Sequence, residues 1–195
     1  MGLGDAHTPG STPLDPNEID GLLPPHIGTQ EELNQWEQAN IGRALTWLAS
    51  ARRPDVLTEG FVRELHRRMF DSTWRWAGRF RATERNIGVA PEQIGLRLRN
   101  LLDDTRYWLE NGTHALDEAA ARFHHRLVAI HCFANGNGRH ARLITDVLLT
   151  DHGAAPFSWG RSDLVHATDA RYRYLAALRA ADGGDLSALL AFVRS

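Results

Sequence analysis

The chain has 195 residues, 43% hydrophobic and 24% charged, with a formal net charge of −2. That length and balance fit one soluble globular domain with a real core, and the near-neutral charge argues against a dedicated nucleic-acid binder, whose face is strongly basic. A single cysteine, Cys132, excludes an intrachain disulfide and fits a reducing compartment. No apolar run approaches the ~20 residues that span a bilayer, and the start, Met1 to Ala6, opens no signal-peptide stretch. The expectation is a cytoplasmic protein without a membrane segment.

Residues 1–28 hold five of the eight prolines and read as an extended, proline-rich arm ahead of a single helical domain over residues 29–195. Thr29 and Glu32 form a capping-box pattern, and Leu33, Trp36, Asn40/Ile41, Ala44 and Leu48 follow at helical spacing. Thr58 predicts the cap of a second helix striped by Phe61, Leu65 and Met69. A third helix is expected over Pro91 to Leu109 and a fourth from Asp117 to Ile130. Leu143 to Leu149 continues the pattern, a further helix begins at Ser162 or Asp163, and Gly183-Gly184-Asp185 opens a short terminal one. The fold class is all-α. Trp76 to Ala90 breaks the pattern: its glycines at 78 and 88 and the alternations Phe80/Ala82 and Ile87/Val89 predict a small β-hairpin flap around Thr83-Glu84-Arg85-Asn86, with an irregular loop as the other reading.

The segment His131 to Arg142, H-C-F-A-N-G-N-G-R-H-A-R, carries the chemistry. Each residue has a plain structural reading. A histidine ending an apolar helix is often a hydrogen-bonded core residue, Gly136-Asn137-Gly138 makes a tight turn, and Arg139 and Arg142 suit surface ion pairs. Together they offer more: a general base at neutral pH, glycines that let backbone approach a phosphate, a helix N-terminus, and two arginines one turn apart that grip anions bidentately.

The motif resembles that of the Fic/DOC family, H-x-F-x-[Asp/Glu]-G-N-G-R-x-x-R, matching at His131, Phe133, Gly136, Asn137, Gly138, Arg139 and Arg142. The helices of residues 29–151 and the Trp76–Ala90 stretch resemble the Fic core and flap. The proline-rich start and Leu33–Ile41 resemble the subgroup called mobile mystery protein B. The resemblance implies a transferase moving AMP from ATP to a Ser, Thr or Tyr hydroxyl of a target protein. His131 would act as base. Ala134, Asn135, Gly136, Asn137 and Gly138 would line the nucleotide phosphates, the Asn137 side chain helping to hold them, with Arg139 and Arg142 at the β/γ end. The flap, over Arg81, Ala82, Thr83, Ile87, Gly88 and Val89, would dock the target as an added strand.

Asn135 stands where the family usually has the acid that holds Mg²⁺. A neutral amide oxygen is a poorer ligand for a hard cation, so Mg²⁺ is expected to be weakly held through Asn135 and the nucleotide. This motivates a second reading, a catalytically weak nucleotide-binding regulatory or toxin–antitoxin module. Many relatives carry an inhibitory helix, [Ser/Thr]-x-x-x-Glu-[Gly/Asn], whose glutamate pairs the motif's second arginine. Neither Glu59-Gly60, preceded at that spacing by Asp55, nor Glu110-Asn111, preceded by Arg106, fits it. The subgroup's association with a neighbouring helix-turn-helix protein implies an antitoxin-like partner. Cys132 reads as packing, and His124 and His125, on different helix faces, do not read as metal ligands.

Overall fold

Capping chemistry sets the first long helix. The Glu32 N–H donates to Thr29 Oγ1 at 3.2 Å, while Glu32 Oε2 accepts from the Thr29 N–H at 3.0 Å. In the computed structural model, which describes residues 16–50, 55–161, 164 and 168–195, that box starts α2 (Gln30–Ser50). A short helix, α1 (Pro16–Ile19), precedes it. Thr58 Oγ1 accepts from the Phe61 N–H at 3.2 Å and opens α3 (Glu59–Phe70). After a 3₁₀ turn at Pro91–Gln93 come α4 (Ile94–Asn111), closed by Gly112 at φ 60°, and α5 (Leu116–Ile130). The order ends with α6 (Asn137–Asp151), α7 (Asp169–Asp182), capped by Thr168, and α8 (Ser187–Val193). The expected helix start at Ser162 or Asp163 lies outside the described residues.

Helix α5 is the central element. It packs on α4, α6 and α8, and its small residues Ala119, Ala120 and Ala121 are fully buried. One apolar cluster joins α2 to α6 around Trp74, Phe70, Phe123 and Phe133. A second gathers α7, α8 and the 157–159 turn around Leu149, Tyr174 and Phe192. None of the helices described is long and apolar enough to cross a membrane.

Helix α6 begins at Asn137, so the motif's arginines lie in its first turns, as expected of a tight loop that opens a helix. The structure departs from the sequence expectation at two places. On α2, Trp36 is 39% exposed and its neighbour Glu37 is 1% exposed, so a carboxylate takes the core-facing place. The flap is an irregular loop: among the described residues no strand forms, and the single bridge pairs Leu22 with Trp74. Buried hydrogen bonds from Arg81, described below, take the place of strand pairing there.

Four buried histidines make the fold acid-sensitive. Burial pushes His124 to about 3, His131 and His140 to about 4, and His66 well below the ordinary value. The unfolded chain therefore takes up protons near pH 6.5 that the folded chain refuses, so stability is lost as pH falls from about 6.5 toward 4. Each histidine contributes about 1.4 kcal/mol per pH unit in that window. Asp146, raised to about 6 by burial, runs the other way and offsets one of them. We expect a flat melting temperature above pH 7.5 and a steep decline between pH 6.5 and 4.5. A melting temperature constant down to pH 5 would contradict the neutral, buried state of these rings.

Candidate active site

Helix α5 ends at His131, which takes left-handed angles (φ 56°, ψ 62°) while its N–H donates to Leu127 O at 3.3 Å. A side-chain-bearing residue in that region costs roughly 1–3 kcal/mol and persists where its surroundings over-determine it. Those surroundings are visible on both sides of the loop.

The chain next wraps around Phe133. Its buried ring stacks 3.7 Å from His66 at 19° and meets the edge of His140 at 5.3 Å. Asn137 closes the loop: its Oδ1 accepts from the Phe133 N–H at 2.9 Å, and its Nδ2 donates to Phe133 O at 2.8 Å. The carboxamide expected to reach phosphate is thus committed to the loop itself. From α3, His66 Nδ1 accepts the Gly78 N–H at 3.0 Å, which leaves the ring proton on Nε2. That nitrogen donates to Asn135 O at 3.1 Å. His140 Nε2 donates in turn to Val62 O at 2.9 Å. Gly136, at φ 78°, has no room for a side chain, since a Cβ would lie 2.6 Å from the Phe70 ring.

Helix α6 starts without a side-chain cap, and its first backbone bond runs from the His140 N–H to Gly136 O at 2.9 Å. The N–H groups of Asn137, Gly138 and Arg139 precede that ladder, at the positive end of a 15-residue helix. Such an end attracts anions. Ala134 is buried beside it.

The two arginines have different surroundings. Arg139 pairs with Glu37 Oε2 at 2.7 Å and lies over the Phe70 ring at 5.0 Å. Glu37 Oε1 accepts from Trp74 Nε1 at 2.7 Å, so both oxygens are engaged. Arg142 lies 5.8 Å from the ring of buried Tyr174. The Tyr174 hydroxyl pairs with His124 Nε2 at 2.8 Å. Glu37, His66 and Tyr174 were not singled out in the sequence. Glu37 left a signal there: it lies four residues from both Leu33 and Ile41, on the core stripe.

Burial first, then the charges of Arg81 and Arg85, pushes the His131 imidazole down to about 4. It is therefore neutral at physiological pH and able to accept a proton. Burial pushes the Cys132 thiol up to about 12, which leaves it unreactive. Asn135 Oδ1 accepts the Gly136 N–H at 2.6 Å. Among the described residues, no three His, Cys, Asp or Glu side chains gather as a metal set. With Asn135 engaged locally and Glu37 held by Arg139 and Trp74, the residues present do not form a Mg²⁺ site of their own.

The flap residues divide. Ala82, Thr83, Ile87 and Gly88 are exposed, Val89 is half-buried, and Arg81 is buried with its guanidinium turned toward His131. Arg81 is thus not presented to a docked segment. Arg85 forms an ion pair with Glu18 of α1, linking the flap to the N-terminal stretch. A groove between α3 and the Trp74–Arg79 turn, lined by Glu59, Arg63, Arg67 and Arg75, includes no motif residue.

Comparison with known proteins agrees with this geometry. The model of the Fic/DOC family matches residues 56–149. Protein adenylyltransferase fic-1 of Caenorhabditis elegans is 30% identical over 151 residues, covering 73% of this chain and 28% of that protein. The chain thus spans under a third of that relative's length. The solved structure of C. elegans Fic-1 (residues 134–508) superposes with a TM-score of 0.65 at 27% identity, covering 90% of this chain and 50% of that one. The N-terminal Fic domain of a Bartonella quintana protein, solved with bound ADP, has a TM-score of 0.69 at 18% identity, covering 87% and 86% of the two chains, and is similar in fold. This chain carries a Fic/DOC family domain.

Proposed function

We propose that the chain transfers AMP from ATP to a Ser, Thr or Tyr hydroxyl of a target protein. The observation that carries this reading is a buried, neutral His131 beside the uncapped N-terminus of α6 with Arg139 and Arg142 on that helix. The His131 imidazole takes the hydroxyl proton as the oxygen attacks the α-phosphorus. The bond from that phosphorus to the bridging oxygen breaks, and pyrophosphate leaves. First-turn N–H groups of α6 stabilise the charge on the transferring group, and the arginines hold the β/γ end. The role is positioning and charge stabilisation, supported by a loop that His66, Phe133 and Asn137 hold rigid.

In this reading Glu37 restrains the site, because it neutralises the arginine that the phosphates need. The bond from Asn135 Oδ1 to its own loop favours a second reading, a weakly catalytic nucleotide-binding regulatory module. We further assign the chain to the mobile mystery protein B subgroup, on the proline-rich start and Leu33–Ile41, with an antitoxin-like helix-turn-helix partner and a cytoplasmic setting. Residues 29–195 are taken as one domain behind the 1–28 arm. Any Mg²⁺ would be carried by the nucleotide phosphates.

Three measurements test this. Incubation with α-labelled ATP and cell lysate should place label covalently on protein, and His131→Ala should reduce it by roughly 10²–10⁴-fold, the usual contribution of a general base. Nucleotide binding without transfer across several donors and metals would replace the enzyme reading with the module. Glu37→Gln keeps an acceptor for Trp74 but removes the charge that holds Arg139. Calorimetry should show ATP bound about tenfold more tightly, a gain of ~1.4 kcal/mol; an unchanged or weaker Kd in folded protein would contradict the restraint. Asn135→Asp should make nucleotide affinity more dependent on Mg²⁺, and identical dependence in both proteins would remove Asn135 from any metal role.

A further inference from the structure

Helix α5 ends without a glycine: the left-handed His131 caps only the Leu127 carbonyl through its own N–H, and the carbonyls beyond it take partners from elsewhere. The Arg81 side chain supplies the cap from the flap. Its Nε donates to His131 O at 2.6 Å and its Nη2 reaches Ile130 O at 3.5 Å. The same guanidinium donates through Nη1 to Thr83 O at 2.9 Å and through Nη2 to Val89 O. One planar group therefore joins two carbonyls of the α5 terminus to two of the flap. It is 5% exposed, and its positive charge sits at the negative end of a 15-residue helix. A guanidinium presents five donors in a rigid fork, an arrangement that an ammonium cannot reproduce.

Backbone contacts follow the same path. The Arg81 N–H donates to Cys132 O at 3.0 Å and the Val89 N–H to Ile130 O at 3.3 Å. Gly88 gives an independent sign that flap and histidine are meant to touch. It adopts φ 100°, and a Cβ there would lie 2.7 Å from both Arg81 Nη2 and the His131 Cβ. That spacing leaves room only for glycine.

We infer that Arg81 is a positioning residue, tying the flap to the backbone of His131 so that a segment lying along Ala82, Thr83 and Ile87 meets the imidazole at a fixed distance. The inference rests on His131 acting as the base, but the tie itself is readable without activity. Arg81 does not touch substrate; it acts through the carbonyls it holds. It caps α5, supports the left-handed turn at His131, and couples docking at the flap to the orientation of the base. The charges facing His131 come from Arg81 and Arg85, with Glu84 and Cys132 facing Arg81 and Glu18 paired to Arg85.

Arg81→Lys keeps the charge and removes the fork. Gly88→Ala keeps the arginine but places a Cβ 2.7 Å from its Nη2 and from the His131 Cβ, forcing the guanidinium, the flap and the histidine apart. In both variants the Val89 amide should exchange with solvent at least about tenfold faster while amides within α3 and α4 keep their wild-type rates. Transfer should fall about 100-fold in kcat, the cost of an ångström-scale misplacement, with the Kd for ATP unchanged. Wild-type Val89 exchange in either folded variant would overturn the tie. An unchanged kcat per folded molecule alongside faster exchange would reduce Arg81 to a stabilising role and overturn the positioning claim. If the wild-type chain transfers nothing, the function reading fails separately, and Val89 exchange alone decides whether Arg81 makes the tie. Should Arg81→Lys not fold, Gly88→Ala carries the same comparison.

Discussion

Phe133 lies two residues beyond His131, and its ring stacks on the His66 imidazole and meets that of His140 edge-on. The main chain on either side of that ring has nowhere else to go, because both backbone polar groups of Phe133 are taken by the Asn137 carboxamide. Two consequences follow. The turn from α5 to α6 closes within a few residues, and α6 starts from the same short loop that carries His131. The His66 ring and the Asn137 carboxamide are buried and paired in a low-dielectric surround, where a lost partner is expensive. A loop built this way is rigid before any ligand arrives, which is the condition under which fixed N–H groups stabilise developing charge most effectively.

Two attachments bring the rest of the molecule to that loop. From α2, Glu37 reaches Arg139 and is steadied by Trp74. From the flap, Arg81 reaches the carbonyls of Ile130 and His131. The attachments differ in kind. The Glu37 pair neutralises an arginine of the motif, so it opposes anion binding directly. The Arg81 contacts involve no arginine of the motif and tie down the flap, where a docked segment is proposed to lie. Helices distant in sequence thereby set the charge and the alignment of a twelve-residue loop.

Much of this was legible in the amino-acid order. Capping residues Thr29 and Thr58 marked helix starts through local hydrogen bonds that neighbours in sequence make alone. The spacing of apolar residues revealed the stripes that face the core, and the motif pointed to the loop proposed to hold phosphate. What was not legible depends on contacts between distant segments. The inward turn of Glu37 is favoured by Arg139, about a hundred residues away. The tautomer of His66 is set by Gly78 and Asn135. The flap's short alternations suited strands, but a strand needs a partner edge, and Arg81 satisfies the nearby carbonyls instead. Asn137 had two plausible partners, phosphate and backbone, and only the folded loop shows which one it holds.

The proposed function depends on a preformed cradle for phosphate whose first arginine is held by Glu37. A crystal structure of the chain with a non-hydrolysable ATP analogue tests it most directly. The expected result is the phosphates against the Asn137, Gly138 and Arg139 N–H groups, the α-phosphorus on the His131 side, and Arg139 turned from Glu37 to phosphate oxygens. Nucleotide bound away from residues 131–142, or bound there with the 2.7 Å pair to Glu37 intact, would contradict it.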